Sequence, residues 1–136
     1  MDSQVSPAAD TNRIRLLLVD DDVHLLEITT LLLVRQGYLV TASTGGSEAI
    51  TILNNDHKAF DAVITDYCMP TINGVELAKL IKELAGDIPV ILHTGKIDLV
   101  DEKQAAQAGI VEIITKPYRI EELDKLIKKV IISNKG

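Results

Sequence analysis

A chain of 136 residues, 46% of them apolar, is long enough to bury one proper core and leaves no room for a second domain. Its 14 Lys and Arg against 20 Asp and Glu give a net charge of −6, which excludes the basic footprint of a nucleic-acid binder and suits cations or basic protein surfaces. Aromatics are 3% and Trp is absent, so core volume has to come from Leu, Ile and Val, which favours layered α/β packing.

Met1 to about Asn12 is small and polar, reads as a disordered leader, and has no apolar stretch of the kind a signal peptide needs. Ile14–Val19 is an aliphatic run interrupted only by Arg15, as expected of a strand buried on both faces. A helix-period stretch runs from about Asp22 to Gln36, with Asp22 as its cap and Gly37 as its stop. The run Leu31–Val34 within it reads as core, and it is far too short to span a membrane. Tyr38–Ala42 is a second short strand. Gly45 and Gly46 form the turn before a helix that Ser47 opens and that ends near Asn55.

Ala62–Thr65 is a third strand, with Asp66 just past its end, and Gly74–Leu84 is a helix broken by Gly86 and Pro89. Val90–His93 is a fourth strand, followed by a helix over Ile97–Ala108 that Gly109 stops. Ile113–Thr115 is a fifth strand. The last helix starts near Ile120 and sets Ile120, Leu123, Leu126, Ile127, Val130 and Ile131 on one stripe, with Lys125, Lys128 and Lys129 on its wet face. Five strand-then-helix repeats with short connections predict a parallel sheet covered on both faces by right-handed crossovers.

In such sheets ligands bind outside the carboxyl ends of the strands, where strand order reverses. Asp20, Asp21 and Asp22 follow the first strand, Asp66 the third, Thr94 and Gly95 the fourth, and Lys116-Pro117 the fifth. Carboxylates crowded at one edge repel unless a cation or protonation relieves them, and hard oxygen donors select Mg²⁺. Alone, Asp20 and Asp21 could be ordinary helix-start carboxylates, and Asp22 fits that role. A carboxylate beside a divalent cation, with an ammonium and a hydroxyl near, is a plausible phosphoryl acceptor.

The segments LLLVDDD (Leu16–Asp22), ITDYCMPTINGVEL (Ile64–Leu77), PVILHTG (Pro89–Gly95) and ITKPY (Ile114–Tyr118) resemble those of response-regulator receiver domains, and the likeness extends from Ile14 to about Ile132. The spacing of Asp66, Pro70 and Gly74 is that of the family's phosphorylation loop. The resemblance implies a receiver domain over 13–134 with the flavodoxin-like doubly wound five-stranded parallel sheet in strand order 2-1-3-4-5. It implies Asp66 as phosphoacceptor and Mg²⁺ ligand, Asp21 as a direct ligand and Asp20 as a helper through water. Cys68 falls where the family offers a backbone carbonyl to the metal. Thr94 is expected to hydrogen-bond the phosphoryl group and Lys116 to pair with it, and Lys116-Pro117 matches a peptide that is often cis. The donor is expected to be a histidine kinase or histidine phosphotransfer protein. A cytoplasmic monomer or weak dimer, with no nucleic-acid or membrane partner, completes the expectation.

Four features depart from that pattern or fall outside it. Receivers commonly carry Tyr or Phe three residues before the site lysine, where Ile113 stands here, so a swinging aromatic cannot carry the response. The positions two past Asp66 and two past Thr94 are Cys68 and Lys96, neither of them a positioner of attacking water, which predicts slow loss of the phosphoryl group. Cys68, the single cysteine, can form no intramolecular disulfide and reads as a small hydrophobe rather than a redox sensor. His24, His57 and His93 lack ligand spacing for zinc, and His93, preceding Thr94 on a strand, should point away from the site.

Rival readings are a phosphorylation-independent receiver acting as a binding module and a haloacid-dehalogenase-like phosphatase using Asp20 and Asp22. A flavodoxin-like cofactor binder is also conceivable, but three aspartates after the first strand would repel a phosphate.

Overall fold

The computed structural model describes residues 13–135, so the proposed leader lies outside the described residues. Five parallel strands form one sheet: β1 (Arg15–Val19), β2 (Leu39–Ser43), β3 (Ala62–Asp66), β4 (Val90–Thr94) and β5 (Ile110–Thr115). Their order is β2-β1-β3-β4-β5, as the resemblance implied. Five α-helices connect or follow them: α1 (Val23–Arg35), α2 (Gly46–Asp56), α3 (Gly74–Leu84), α4 (Glu102–Gln107) and α5 (Ile120–Lys135).

Alternation along the central strands divides the core in two. Leu17 and Val19 of β1 join Leu53, Val63, Leu77 and Ile81 on the face covered by α2, α3 and α4. Leu16 and Leu18 point the other way and meet Leu26, Leu33, Ile64 and Ile127 under α1 and α5. Burying both faces explains why β1, β3 and β4 read as aliphatic runs rather than as alternating patterns. The chain leaves β1 first to one side and then to the other, so the reversal lies between β1 and β3. The carboxyl ends of these two strands therefore flank the crevice where a ligand fits.

Several expected boundaries shift, each for a visible reason. The expected helix over Ile97–Ala108 is two pieces: a single 3₁₀ turn at Ile97–Leu99 and then α4. The Asp101 side chain accepts from the amides of Lys103 and Gln104 and starts the helix afresh. The fifth strand begins at Ile110 rather than Ile113, because a register shift pairs Val90 with Ile110 but Ile91 with Glu112. That irregularity, with the charged Glu112 in the strand, hides the pattern. Tyr38 belongs to the closure of α1, its amide donating to the Leu33 carbonyl, while Gly37 takes a φ of 102°. Gly45 rather than Ser47 caps α2, and Asp66 and Thr94 are the last residues of their strands rather than the first beyond them.

The reading of Leu31–Val34 as core is corrected. Leu33 is fully buried, but Leu31 and Val34 are 52% and 48% exposed. In a run of four apolar residues a helix can turn only part toward the sheet. Leu33→Ala is accordingly expected to lower stability by about 2–5 kcal/mol, and Leu31→Ala by no more than about 0.5 kcal/mol, in urea denaturation. Similar losses at both positions would contradict this placement.

Candidate functional site

The carboxyl ends of β1, β3, β4 and β5 each contribute to one polar cluster. Asp20, directly after β1, is buried at 1% exposure. Its Oδ1 accepts from the Asp22 amide at 2.9 Å, and its Oδ2 takes the Lys116 ammonium at 2.9 Å. The same ammonium lies 3.5 Å from Asp66 Oδ1. Asp66 Oδ1 also accepts from the Tyr67 amide at 2.9 Å. Asp21 is exposed, and among the described residues its carboxylate and those of Asp20 and Asp66 offer oxygens within 4.8 Å of one another.

Burial holds the Asp66 carboxyl above the ordinary aspartate range; Lys116 opposes that shift and Asp20 adds to it. Part of the repulsion is thus relieved by one ammonium, which leaves three hard oxygen donors around a space that a small divalent cation fits. Asp20, Asp21 and Asp66 together suit that ion; none of their donors is soft.

The loop after β3 is shaped for close approach. Thr71 takes a φ of 73°, uncommon for a β-branched residue, and Ile72 closes a tight turn by donating to the Pro70 carbonyl at 2.8 Å. Gly74 then opens α3 against the strand end, its amide donating to the Tyr67 carbonyl at 2.9 Å. A Cβ at Gly74 would collide with the Asp66 backbone carbonyl and with Leu92. Here the spacing from Asp66 to Gly74 has a steric cause. Asn73 and Glu76 form a capping box that fixes the helix start.

Thr94 is fully buried, and its hydroxyl oxygen accepts from the Lys96 amide at 2.9 Å, which leaves its proton free to be donated elsewhere. The Lys116 amide donates to the Thr94 carbonyl at 2.8 Å, so the two side chains are registered by the ladder between β4 and β5. The Lys116–Pro117 peptide is cis. Cys68 lies in the loop after Asp66 with its side chain exposed, outside the carboxylate cluster. Asp22 caps α1, its side chain accepting from the Leu25 amide at 3.1 Å, so the second aspartate of the phosphatase reading is committed to the helix.

One expectation fails here. His93 leaves the sheet opposite Thr94, yet its ring does not avoid the site: Nε2 lies 3.4 Å from Asp20 Oδ2 and Nδ1 is 2.7 Å from the Tyr118 hydroxyl. Asp20 sits at the rim of the sheet and can be approached from its other face. Burial, with Lys116 adding to it, pushes the imidazole down to about 4, so the ring is neutral. Burial likewise raises the Tyr118 phenol, which keeps its proton. The sequence offered one clue, a histidine ending an otherwise aliphatic strand.

An α/β sheet of this order, with acidic, ammonium and hydroxyl groups gathered on its carboxyl edge, defines a doubly wound domain with a polar ligand site, and comparison with known proteins places it in a family. Residues 16–128 match the response regulator receiver domain, and the chain belongs to that family. A CpxR-homologous transcriptional regulatory protein of Haemophilus influenzae is 33% identical over 117 residues, which cover 86% of this chain and 50% of that protein. The chain thus spans about half the length of the curated relatives it matches. A CheY-like receiver domain protein from Methanospirillum hungatei superposes with a TM-score of 0.85 at 27% identity, covering 91% of this chain and 98% of that one. A CheX–CheY–BeF₃–Mg²⁺ complex from Borrelia burgdorferi contains a chain with a TM-score of 0.79 at 26% identity, covering 89% of this chain and 92% of that one.

Because the folded state raises Asp66 above its ordinary value of 3.8, folding stability falls as pH rises through that window and stays low above it. Without metal, Asp66→Asn should therefore raise Tm near pH 7 by roughly 2–5 °C. The gain should shrink as pH falls through the raised native range and vanish below 3.8, where the carboxyl is protonated in the folded and unfolded states alike. Melting curves in a chelating buffer across this range check it; a less stable variant at neutral pH would contradict it.

Proposed function

We propose that this domain accepts a phosphoryl group onto Asp66 from a phosphohistidine on a histidine kinase or phosphotransfer protein, in a Mg²⁺-dependent reaction. The observation that carries the reading is the position of the Lys116 ammonium, 2.9 Å from Asp20 and 3.5 Å from Asp66, at the edge that also holds Asp21 and Thr94. Family membership supports it, and so does the similar Borrelia CheX–CheY complex with BeF₃ and Mg²⁺.

Asp20, Asp21 and Asp66 would hold the metal, together with the backbone carbonyl of Cys68. Mg²⁺ bound there would neutralise the charge that spreads over the equatorial oxygens of the phosphoryl group. A carboxylate oxygen of Asp66 attacks phosphorus in line; the P–N bond to the donor imidazole breaks, and the departing nitrogen keeps the electron pair. Lys116 swings the short distance from Asp20 to pair with the transferred group. Thr94 donates its hydroxyl proton to a phosphoryl oxygen while still accepting from the Lys96 amide. Water later cleaves the acyl phosphate. The domain consumes one donor per event and returns to its starting state, which is the behaviour of a switch rather than a turnover enzyme. Among the described residues no helix is long and apolar enough to cross a membrane.

Intact mass after incubation with acetyl phosphate tests this. One added phosphoryl group is expected with Mg²⁺, none without it and none on Asp66→Ala, and the adduct should decay slowly, since Cys68 and Lys96 offer no positioner for water. No adduct on the folded wild type would favour the phosphorylation-independent binding module. Repeated hydrolysis of a generic phosphate monoester would favour the phosphatase.

A further inference from the structure

His93 Nε2 is a buried polar atom with no hydrogen-bond partner, in a side chain that is 1% exposed. Leaving such an atom unpaired forfeits its hydration without replacement and calls for an explanation. The explanation lies 3.4 Å away, at Asp20 Oδ2, an oxygen already taken by Lys116 at 2.9 Å. The other ring nitrogen, Nδ1, is bonded to the Tyr118 hydroxyl at 2.7 Å. A neutral imidazole carries one proton. If Tyr118 donates to Nδ1, the proton sits on Nε2 and faces the carboxylate; the opposite tautomer would aim a lone pair at a negative charge.

We propose that His93, oriented by Tyr118, is a positioning residue for Asp20, and that its Nε2–H takes over Asp20 Oδ2 when Lys116 moves to the phosphoryl group on Asp66. The proposal rests on reading Asp20 as a metal-side carboxylate and Asp66 as the acceptor. In the present state Asp20 Oδ1 is held by the Asp22 amide and Oδ2 by Lys116. Withdrawing Lys116 would leave Oδ2 buried without a donor. A closing movement of about 0.5 Å brings His93 Nε2 to ordinary hydrogen-bond length. Lys116 and Tyr118 are two residues apart on one loop, so the departing cation and the group that orients its replacement move together. Partners of this kind, a step behind a metal-binding carboxylate, fix its orientation.

The test reads the tautomer directly, by NMR of protein labelled with ¹⁵N in the histidine rings. Wild type is expected to show a neutral His93 ring protonated on Nε2, with that proton shifting downfield when Mg²⁺ and beryllofluoride are added. Tyr118→Phe should release the constraint and give a mixture of tautomers. In calorimetry with beryllofluoride present, His93→Leu should weaken Mg²⁺ binding roughly tenfold, while His93→Gln, which keeps an N–H near the Nε2 position, should stay closer to wild type. A wild-type ring protonated on Nδ1 in a protein that binds Mg²⁺ would overturn this proposal alone. So would unchanged Mg²⁺ affinity in folded His93→Leu. Should that variant fail to fold, the wild-type tautomer and Tyr118→Phe still decide. A wild type that binds no Mg²⁺ would overturn both this proposal and the reading of the acidic site.

Discussion

Three carboxylates share one end of a sheet, and a single ammonium keeps two of them together. Without Lys116, buried Asp20 would face Asp66 with no cation between them, and only backbone amides and the His93 ring would remain to offset their repulsion. The rest of the molecule serves that arrangement. β1 and β3 are neighbours at the point where strand order reverses, which brings Asp20 and Asp66 to the same crevice. β5 lies two strands from β3, beyond β4, and its lysine is long enough to reach back across Thr94 to both. The ammonium occupies a position that is electrostatically useful in either state, whether it neutralises carboxylates or moves to a newly arrived phosphoryl group.

Much of this was legible in the chain itself. The aliphatic runs Leu16–Val19, Ala62–Thr65 and Val90–Leu92 announce strands buried on both faces, and the polar residues at their ends announce the edge that works. Asp22 and Gly37 bracket the first helix correctly. Less visible were features set by hydrogen bonds between distant parts of the sequence or by local competition. The Asp101 cap splits what hydrophobic spacing alone presents as one helix, and the register shift beside Val90 conceals the start of β5 behind Glu112. Exposure within Leu31–Val34 depends on how α1 is rotated against the sheet, which an unbroken apolar run does not encode.

The acidic residues could be placed by spacing because each stands at or just past the end of an aliphatic run; His93 and Tyr118 could not. His93 was expected to point away from the site, but Asp20 lies at the rim where both faces of the sheet are accessible, so its ring meets the site after all. Ile113 removes the aromatic that usually answers to the phosphoryl group in this family. Tyr118, hydrogen-bonded to His93 behind Asp20, is the aromatic that this chain does connect to its acidic edge. It also borders an apolar cleft of about 430 Å³ with Leu25, Ile28 and Pro117, next to the loop that carries Lys116.

The proposed switch depends on the crowded carboxylates being arranged for a divalent cation, and thermal unfolding against Mg²⁺ concentration tests that most directly. A ligand that binds only the folded state stabilises it by mass action, about 2.7 kcal/mol at a hundredfold excess over Kd. Wild type should show a Tm that climbs steadily with Mg²⁺ beyond an NaCl control of equal ionic strength, and Asp66→Asn should lose most of that rise. A wild-type Tm that follows ionic strength alone would contradict the account.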